Sequence, residues 1–273
     1  MLKDLIFTRW TILATLMTAL LVSQHTLHAQ TKPTRLQPEQ PPASILWIGN
    51  SFFYYNNSMH KYFSQLLSSS GAETKIRSTS STISGSGLAW HDMESLLRPG
   101  GLGSYSFVAG NKIKFNEPGR QYDTAIMLDC SQCPIHPQLQ ATFHETVKKH
   151  TQTLASHKVR PVLFMTWAYE DRPEMTALLA EQYTLAGNAN NVLVVPAGLA
   201  FALAIEKRAD IALYQPDKRH PSLAGTYLGA CTVYATLLRK SPVGLGYTAG
   251  LDPETATLLQ SAAWEAVQDY FGK

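Results

Sequence analysis

The sequence predicts an α/β domain with a central parallel sheet of about five strands and helices on both faces. Two observations carry this reading. Five short apolar runs, SILWIG from Ser44, TKIRSTS from Thr74, DTAIMLD from Asp123, RPVLFMTW from Arg160 and NVLVVP from Asn191, are each followed by a segment of helical period. Such alternation builds βαβ units. The composition, 45% hydrophobic and 16% charged over 273 residues, is that of an ordinary globular chain. It is long enough for one such domain with a buried core.

Taken in order, Lys3 and Arg9 precede the apolar run WTILATLMTALLVS, which gives way to QHTLHAQ with Ala29 as a small cleavage residue. This is the layout of a secretory signal peptide over residues 1–29. The run is shorter than the roughly 20 residues a spanning helix needs, and no later segment could span either. Export to the periplasm or beyond the cell is therefore expected, with no membrane span after cleavage. No cysteine lies near the site to carry a lipid. Cleavage removes two positive charges and one negative, lowering the formal net charge from +3 to +2, too little to imply a nucleic-acid partner.

Residues 30–43, QTKPTRLQPEQPPA, are proline-rich and polar and read as a flexible spacer, leaving 44–273 as the domain. Within it, helices are expected over 59–69, 88–97, 139–156, 175–186, 198–207, 224–238 and 253–270. Residues 99–120, rich in Gly and Asn with short alternating runs, read as a loop or hairpin beside the sheet. The three cysteines are too few for a disulfide framework. Cys130 and Cys133 in CSQC can close a local bridge in an oxidising compartment, but they lack the helix-opening context of a redox-active thiol. Packed or incidentally bridged cysteines are expected there, and Cys231 is expected in the core.

An open parallel sheet places its ligand site at the carboxyl ends of the strands. The first strand ends in Gly49-Asn50-Ser51, which presents the Ser51 hydroxyl on a tight turn as a nucleophile or as a helix N-cap. Near the C-terminus, YQPDKRHPSLAGTYLGA sets Asp217 three residues before His220, with Pro221 opening a helix. An Asp-x-x-His turn can fold so that the carboxylate accepts a hydrogen bond from imidazole Nδ1, leaving Nε2 to take a proton from a serine. Each motif alone also reads plainly, as a cap and as a charged surface loop. The pairing gives them weight.

Together they resemble the SGNH or GDSL-like hydrolases, serine esterases with a three-layer α/β/α flavodoxin-like fold. The likeness rests on IGNSF and DKRHPSLAGTYLGA in that order and runs from about Ser44 to the C-terminus. The Gly-Asn-Ser form, SGLAWH, and HPS followed by GTYLGA are similar to one exported bacterial subgroup. The resemblance implies Ser51 as nucleophile, His220 as general base and Asp217 as its orienting partner. It also implies an oxyanion hole built from the Ser51 N–H, a glycine N–H after the second strand and an asparagine side chain after the third.

STISGSGLAWH offers Gly85 or Gly87 for the second donor, and the spacing to Leu88 and His91 favours Gly85. For the third, CSQCP contains no asparagine, so Gln132, or else Ser131, stands in its place; Asp129, when ionised, has no proton to give.

Candidates for the substrate pocket are Asn50, His91 and Trp167, the last just past the fourth strand. Phe52, Phe53, Tyr54 and Tyr55 are expected mostly in the core, with a sugar platform as their other reading. His144 and His150 lack the spacing of a zinc protease and are expected to be solvated, and Glu170 and Asp171 are expected to cap a helix. The reaction implied is acyl-enzyme hydrolysis of small-molecule or carbohydrate esters, acetyl esters foremost, without metal or cofactor. The alternative is a non-catalytic module that binds glycan or peptide on the same fold.

Overall fold

The computed structural model describes residues 31–73 and 75–272. The expected signal peptide lies outside the described residues. Each of the five apolar runs contains a strand. β1 (Ser44–Gly49) and β2 (Arg77–Thr82) come first, and β3 (Tyr105–Val108) and β4 (Lys112–Phe115) form a separate antiparallel hairpin. β5 (Thr124–Met127), β6 (Arg160–Phe164) and β7 (Leu193–Val195) follow. The main sheet is parallel throughout, in the order β2-β1-β5-β6-β7. Ile48 of β1 pairs with Ser81 on one side and Met127 on the other.

The chemistry of each strand matches its place. Ile45, Leu46, Trp47 and Ile48 of central β1 are 0% exposed, as a strand covered on both faces requires. Edge strand β2 reads Arg-Ser-Thr-Ser-Ser-Thr and is half-buried along its length; a polar edge discourages pairing with another chain.

Helices fill the connections: α1 (Ser51–Tyr54), α2 (Met59–Ser69), α3 (Met93–Leu97), α4 (Gln140–Ser156), α5 (Met175–Asn190), α6 (Ala197–Lys207), α7 (Leu223–Leu238) and α8 (Pro253–Phe271). The chain winds outward from β1 in both directions, so right-handed crossovers put α2 on one face of the sheet and α4 and α5 on the other. α7 packs on α2 and α8 and is buried from Ala224 to Leu237, with Cys231 in the core as expected. The strand order reverses between β1 and β5, and that switch point is where an open sheet of this kind holds its ligand.

Three expectations are revised. The helix expected over 88–97 divides into a 3-10 turn, Leu88–Trp90, and α3, because the Asp92 carboxylate accepts the Ser95 N–H at 3.3 Å and starts a new helix. α5 runs past Ala186 to Asn190 and stops where Asn191 turns left-handed at φ 52°. Residues 31–42, expected as a flexible spacer, lie against α5 and β6. Thr31 Oγ1 donates to Glu181 Oε1 at 2.6 Å, Thr34 N donates to Asn188 Oδ1 at 2.8 Å, and Arg160 Nη1 donates to Gln40 O. Among the described residues, no helix is long and apolar enough to cross a membrane.

Gly49, the last residue of β1, admits no side chain: a Cβ there would lie 2.6 Å from Leu128 Cγ and 2.8 Å from its Cδ1. Overpacking of this kind costs about 1–3 kcal/mol. Gly49→Ala is therefore expected to lower unfolding free energy by about that much in denaturant titration, and an unchanged midpoint would contradict the close packing.

Candidate active site

β1 delivers Ser51 to the switch point, and Asn50 fixes the turn. Asn50 is the N-cap of α1, its Oδ1 accepting the Phe52 N–H at 3.1 Å, while its Nδ2 donates to Ser86 O at 2.9 Å and Asp129 O at 3.3 Å. One buried amide thus ties together the segments that leave β1, β2 and β5. A carboxylate could cap the helix but has no N–H for the two carbonyls, which gives the Gly-Asn-Ser form a physical reason. Asn50 is 4% exposed, so its part is to build the turn; it does not line the pocket.

The second motif forms a closed turn ahead of α7. Asp217 Oδ1 accepts the backbone N–H groups of Arg219 and His220, each at 2.9 Å, and Oδ2 accepts imidazole Nδ1 at 2.5 Å. Gln215 N donates to His220 O at 2.8 Å, and Lys218 takes a left-handed φ of 63° to close the loop. With Nδ1 carrying its proton toward Asp217, His220 Nε2 is the acceptor and lies 2.8 Å from Ser51 Oγ. Two stretches 169 residues apart meet in one hydrogen-bonded chain. Burial works against ionisation of Asp217, but bonds from the imidazole and the two amides outweigh it and hold its carboxyl at about 2. The Asp217 contribution to stability is thus present above the ordinary carboxylate range and is lost progressively as pH falls from that range through about 2.

Aromatic rings set the direction of the histidine loop. Phe52 stacks on Trp167 at 4.6 Å and 6°, Trp167 stacks on Phe201 at 4.2 Å and 7°, and the Phe52 and His220 rings lie nearly perpendicular with centroids 5.6 Å apart. Trp167 Nε1 donates to Arg219 O at 3.0 Å. Trp167 is 0% exposed; it therefore supports the loop from beneath, and its expected pocket role is corrected. Phe52 and Phe53 are core residues, as expected, whereas Tyr54 and Tyr55 are half-buried.

The other candidates divide. His91 is buried, with Nε2 3.1 Å from Gly49 O and 3.4 Å from Ser86 Oγ, so it braces the end of β1. Burial holds its basicity down. His150, expected to be solvated, is buried with Nε2 3.2 Å from Leu88 O, and burial lowers its basicity too. His144 is half-buried, with Nε2 2.9 Å from Gln182 Oε1.

Gly85 is exposed at φ 68°, in open space where any Cβ would be strained by backbone alone. Gly87 is the more confined of the pair, its would-be Cβ 3.1 Å from Asp129 Oδ1. Asp129 is buried, its Oδ1 accepting the Leu88 N–H at 2.8 Å and the Cys130 N–H at 2.6 Å; burial raises its carboxyl above the usual range against those two bonds.

After β5 the chain closes a four-residue loop: Cys130 and Cys133 are joined in a disulfide. The two residues inside it, Ser131 and Gln132, both reach Tyr169. Ser131 Oγ is 2.7 Å from the Tyr169 hydroxyl, and Gln132 Nε2 donates to that hydroxyl at 2.8 Å. Tyr169 in turn lies beneath the Arg219 guanidinium, 4.8 Å from the ring centroid. Donation to Tyr169 uses one of the two amide N–H groups of Gln132 and leaves the other. Sequence reading missed Tyr169. Its position two residues past Trp167, on the segment leaving β6, is the only signal it carries.

No protein-family model matches this sequence, and no curated protein matches it. Solved structures do. A DUF4886 family protein from Bacteroides uniformis is 18% identical, with a TM-score of 0.59, covering 82% of this chain and 94% of that one. The fold is that of the SGNH hydrolases. A protein from Slackia heliotrinireducens described as an SGNH hydrolase is 21% identical at TM-score 0.52, covering 71% of this chain and 98% of its own. The acetyl xylan esterase AlAXEase is 12% identical at TM-score 0.52, covering 70% and 98%. Within the SGNH fold of this chain, Ser51 follows the first strand and the Asp217-to-His220 turn precedes α7, a helix packed on α2.

The Trp167 N–H is the one polar tie between the aromatic stack and the Arg219 carbonyl. Trp167→Phe keeps a ring in the stack and leaves that carbonyl without its donor, a loss of about 0.5–1.5 kcal/mol. Thermal unfolding should show the loss, and a variant as stable as the parent would remove the bracing role.

Proposed function

We propose that this chain is an exported bacterial serine hydrolase that cleaves carboxylic esters by acyl-enzyme chemistry, with acetylated carbohydrate as its substrate class. The observation that carries the reading is the unbroken chain from Ser51 Oγ through His220 to Asp217, at 2.8 and 2.5 Å. Ser51 Oγ attacks the ester carbonyl carbon while His220 Nε2 takes its proton. Asp217 keeps the imidazole in the required tautomer and stabilises the imidazolium that forms. His220 then returns the proton to the departing alkoxide. A water molecule, deprotonated by the same imidazole, releases the acid and restores Ser51. The choice of acetyl esters draws support from the acetyl xylan esterase that shares the fold.

The tetrahedral oxyanion needs fixed donors. The Ser51 N–H at the first position of α1, the Gly85 N–H and the Gln132 amide take these roles in the proposal. Gln132 replaces asparagine by presenting a longer side chain from the disulfide-closed loop, with Tyr169 holding one of its N–H groups. A donor of this kind contributes about 3 kcal/mol to the transition state.

Two measurements test the reading. A fluorophosphonate probe should label the protein at Ser51 and fail to label Ser51→Ala, with the adduct placed by mass spectrometry; labelling that persists in the variant would remove the nucleophile. If no ester is turned over while a glycan binds saturably, the non-catalytic module takes the place of the enzyme. For the third donor, Gln132→Ala is expected to lower kcat on p-nitrophenyl acetate roughly 100-fold with little change in KM. An unaltered kcat would take Gln132 out of the oxyanion hole.

A further inference from the structure

The backbone just after the nucleophile is strained. Asn56, Asn57 and Ser58 take positive φ values of 54°, 67° and 73° in succession. Asparagine tolerates the left-handed region. Ser58, at φ 73° and ψ 127°, occupies backbone space that residues with a side chain rarely visit. A run of this kind persists only where its surroundings hold it, and here they do. Asn56 Nδ2 donates to Pro221 O at 3.0 Å and to Thr226 Oγ1 at 2.8 Å, and the Tyr62 hydroxyl donates to Asn56 O at 2.6 Å. Pro221 is the residue after His220, so the kinked segment is fastened to the histidine loop itself.

The residue that the kink displays is Tyr55. Its ring lies face to face with the His220 imidazole, centroids 4.3 Å apart and planes 9° from parallel. From this geometry we propose that Tyr55 is a positioning residue for the general base, held in place by Asn56, and that its ring face stabilises the imidazolium formed when His220 takes the Ser51 proton.

The proposal rests on the serine hydrolase reading and deepens it. A neutral imidazole gains from the stack only packing and orientation. A protonated one also meets the negative face of the phenol ring. The contribution thus grows as the proton transfers, the condition for accelerating a reaction instead of tightening binding.

The groups that face the imidazole are few. Asp217 is on Nδ1, Ser51 on Nε2, Phe52 lies nearly perpendicular to the ring and Tyr55 lies face to face with it. Of the cations in the same loop, Lys218 pairs with Asp171 at 3.5 Å and Arg219 lies over Tyr169. The two aromatic contacts differ in kind: the Phe52 ring stands at 77° to the imidazole, and the Tyr55 ring lies 9° from parallel to it, offering its negative face.

The test compares Tyr55→Phe, which keeps the ring, with Tyr55→Leu, which removes it. Asn56→Gly keeps the left-handed backbone and loses the amide that grips Pro221. Turnover of p-nitrophenyl acetate and the pH titration of the His220 ring protons by NMR are measured for each. Tyr55→Phe should match the parent. Tyr55→Leu should lose kcat by roughly 2- to 30-fold with KM nearly constant, the range expected for a cation over an aromatic face. Its His220 ring should also titrate at lower pH than in the parent, because the cationic form has lost its partner. Asn56→Gly should lose kcat in the same direction with Tyr55 intact.

A Tyr55→Leu protein that matches the parent in both kcat and titration midpoint overturns the proposal. So does a rise confined to KM, which would make Tyr55 a substrate platform, and so does a Tyr55→Phe variant as impaired as Tyr55→Leu. Should Ser51→Ala turn over ester as fast as the parent, the hydrolase reading fails, while the titration midpoints still decide whether the ring stabilises the imidazolium.

Discussion

Both oxygens of the Asp217 carboxylate are committed, one to the backbone amides of Arg219 and His220 and the other to the imidazole, and the geometry of the site follows from that division. The first pair of bonds folds four residues into a turn, a local reason why an aspartate begins it. The remaining bond fixes which nitrogen of His220 faces Ser51. A neutral carboxyl could not perform both tasks at once, because its protonated oxygen would offer a donor where an acceptor is wanted. The bonds that shape the turn also hold the carboxyl ionised.

A second convergence lies beneath the first. The ends of β1, β2 and β5 meet at the Asn50 amide, and the loops that follow β6 and β7 are drawn in by Trp167, Tyr169 and Asn56. Trp167 hands its N–H to the histidine loop, Tyr169 receives the Gln132 amide, and Asn56 holds the carbonyl of Pro221 next to His220. None of these ties is a large contribution alone. Each joins segments distant in sequence, so the network is fully engaged only when every loop is in register. Such a frame keeps a serine, a histidine and a carboxylate within hydrogen-bonding distance although they enter from opposite ends of the chain.

Much of this was legible in the residues. Strands β1 and β5 announced themselves because runs buried on both faces must be continuously apolar, and the two motifs carried the Ser51–His220–Asp217 hydrogen-bonded chain because their chemistry is local: a turn that an aspartate folds and a hydroxyl that a glycine exposes. What the chain hid was mostly a matter of long-range burial. Trp167 stands at the carboxyl edge of a strand and looked like a pocket wall, yet α6 places Phe201 over its ring. His150 lies on a helix of mixed polarity, and only the 3-10 turn at Leu88 packed beside it takes the imidazole out of water. The Asn50 amide looked like a side chain for substrate because nothing nearby in sequence supplies the two carbonyls it bonds. The kink at residues 56–58 was unreadable for a different reason: asparagine and serine are common in many conformations, and it is contacts to Pro221, Thr226 and Tyr62 that select the rare one.

The Cys130–Cys133 bridge encloses only two residues. Loop-closure entropy for so small a ring limits its effect on the denatured ensemble to roughly 2 kcal/mol, modest beside the core of a domain this size. Its reach is local, confined to the strip that displays Ser131 and Gln132. A polypeptide synthesised where thiols stay reduced would still collapse to the same architecture, with this strip alone left slack. Heterologous preparations from oxidising and reducing hosts would then have superimposable far-ultraviolet spectra and differ in the order of one short segment.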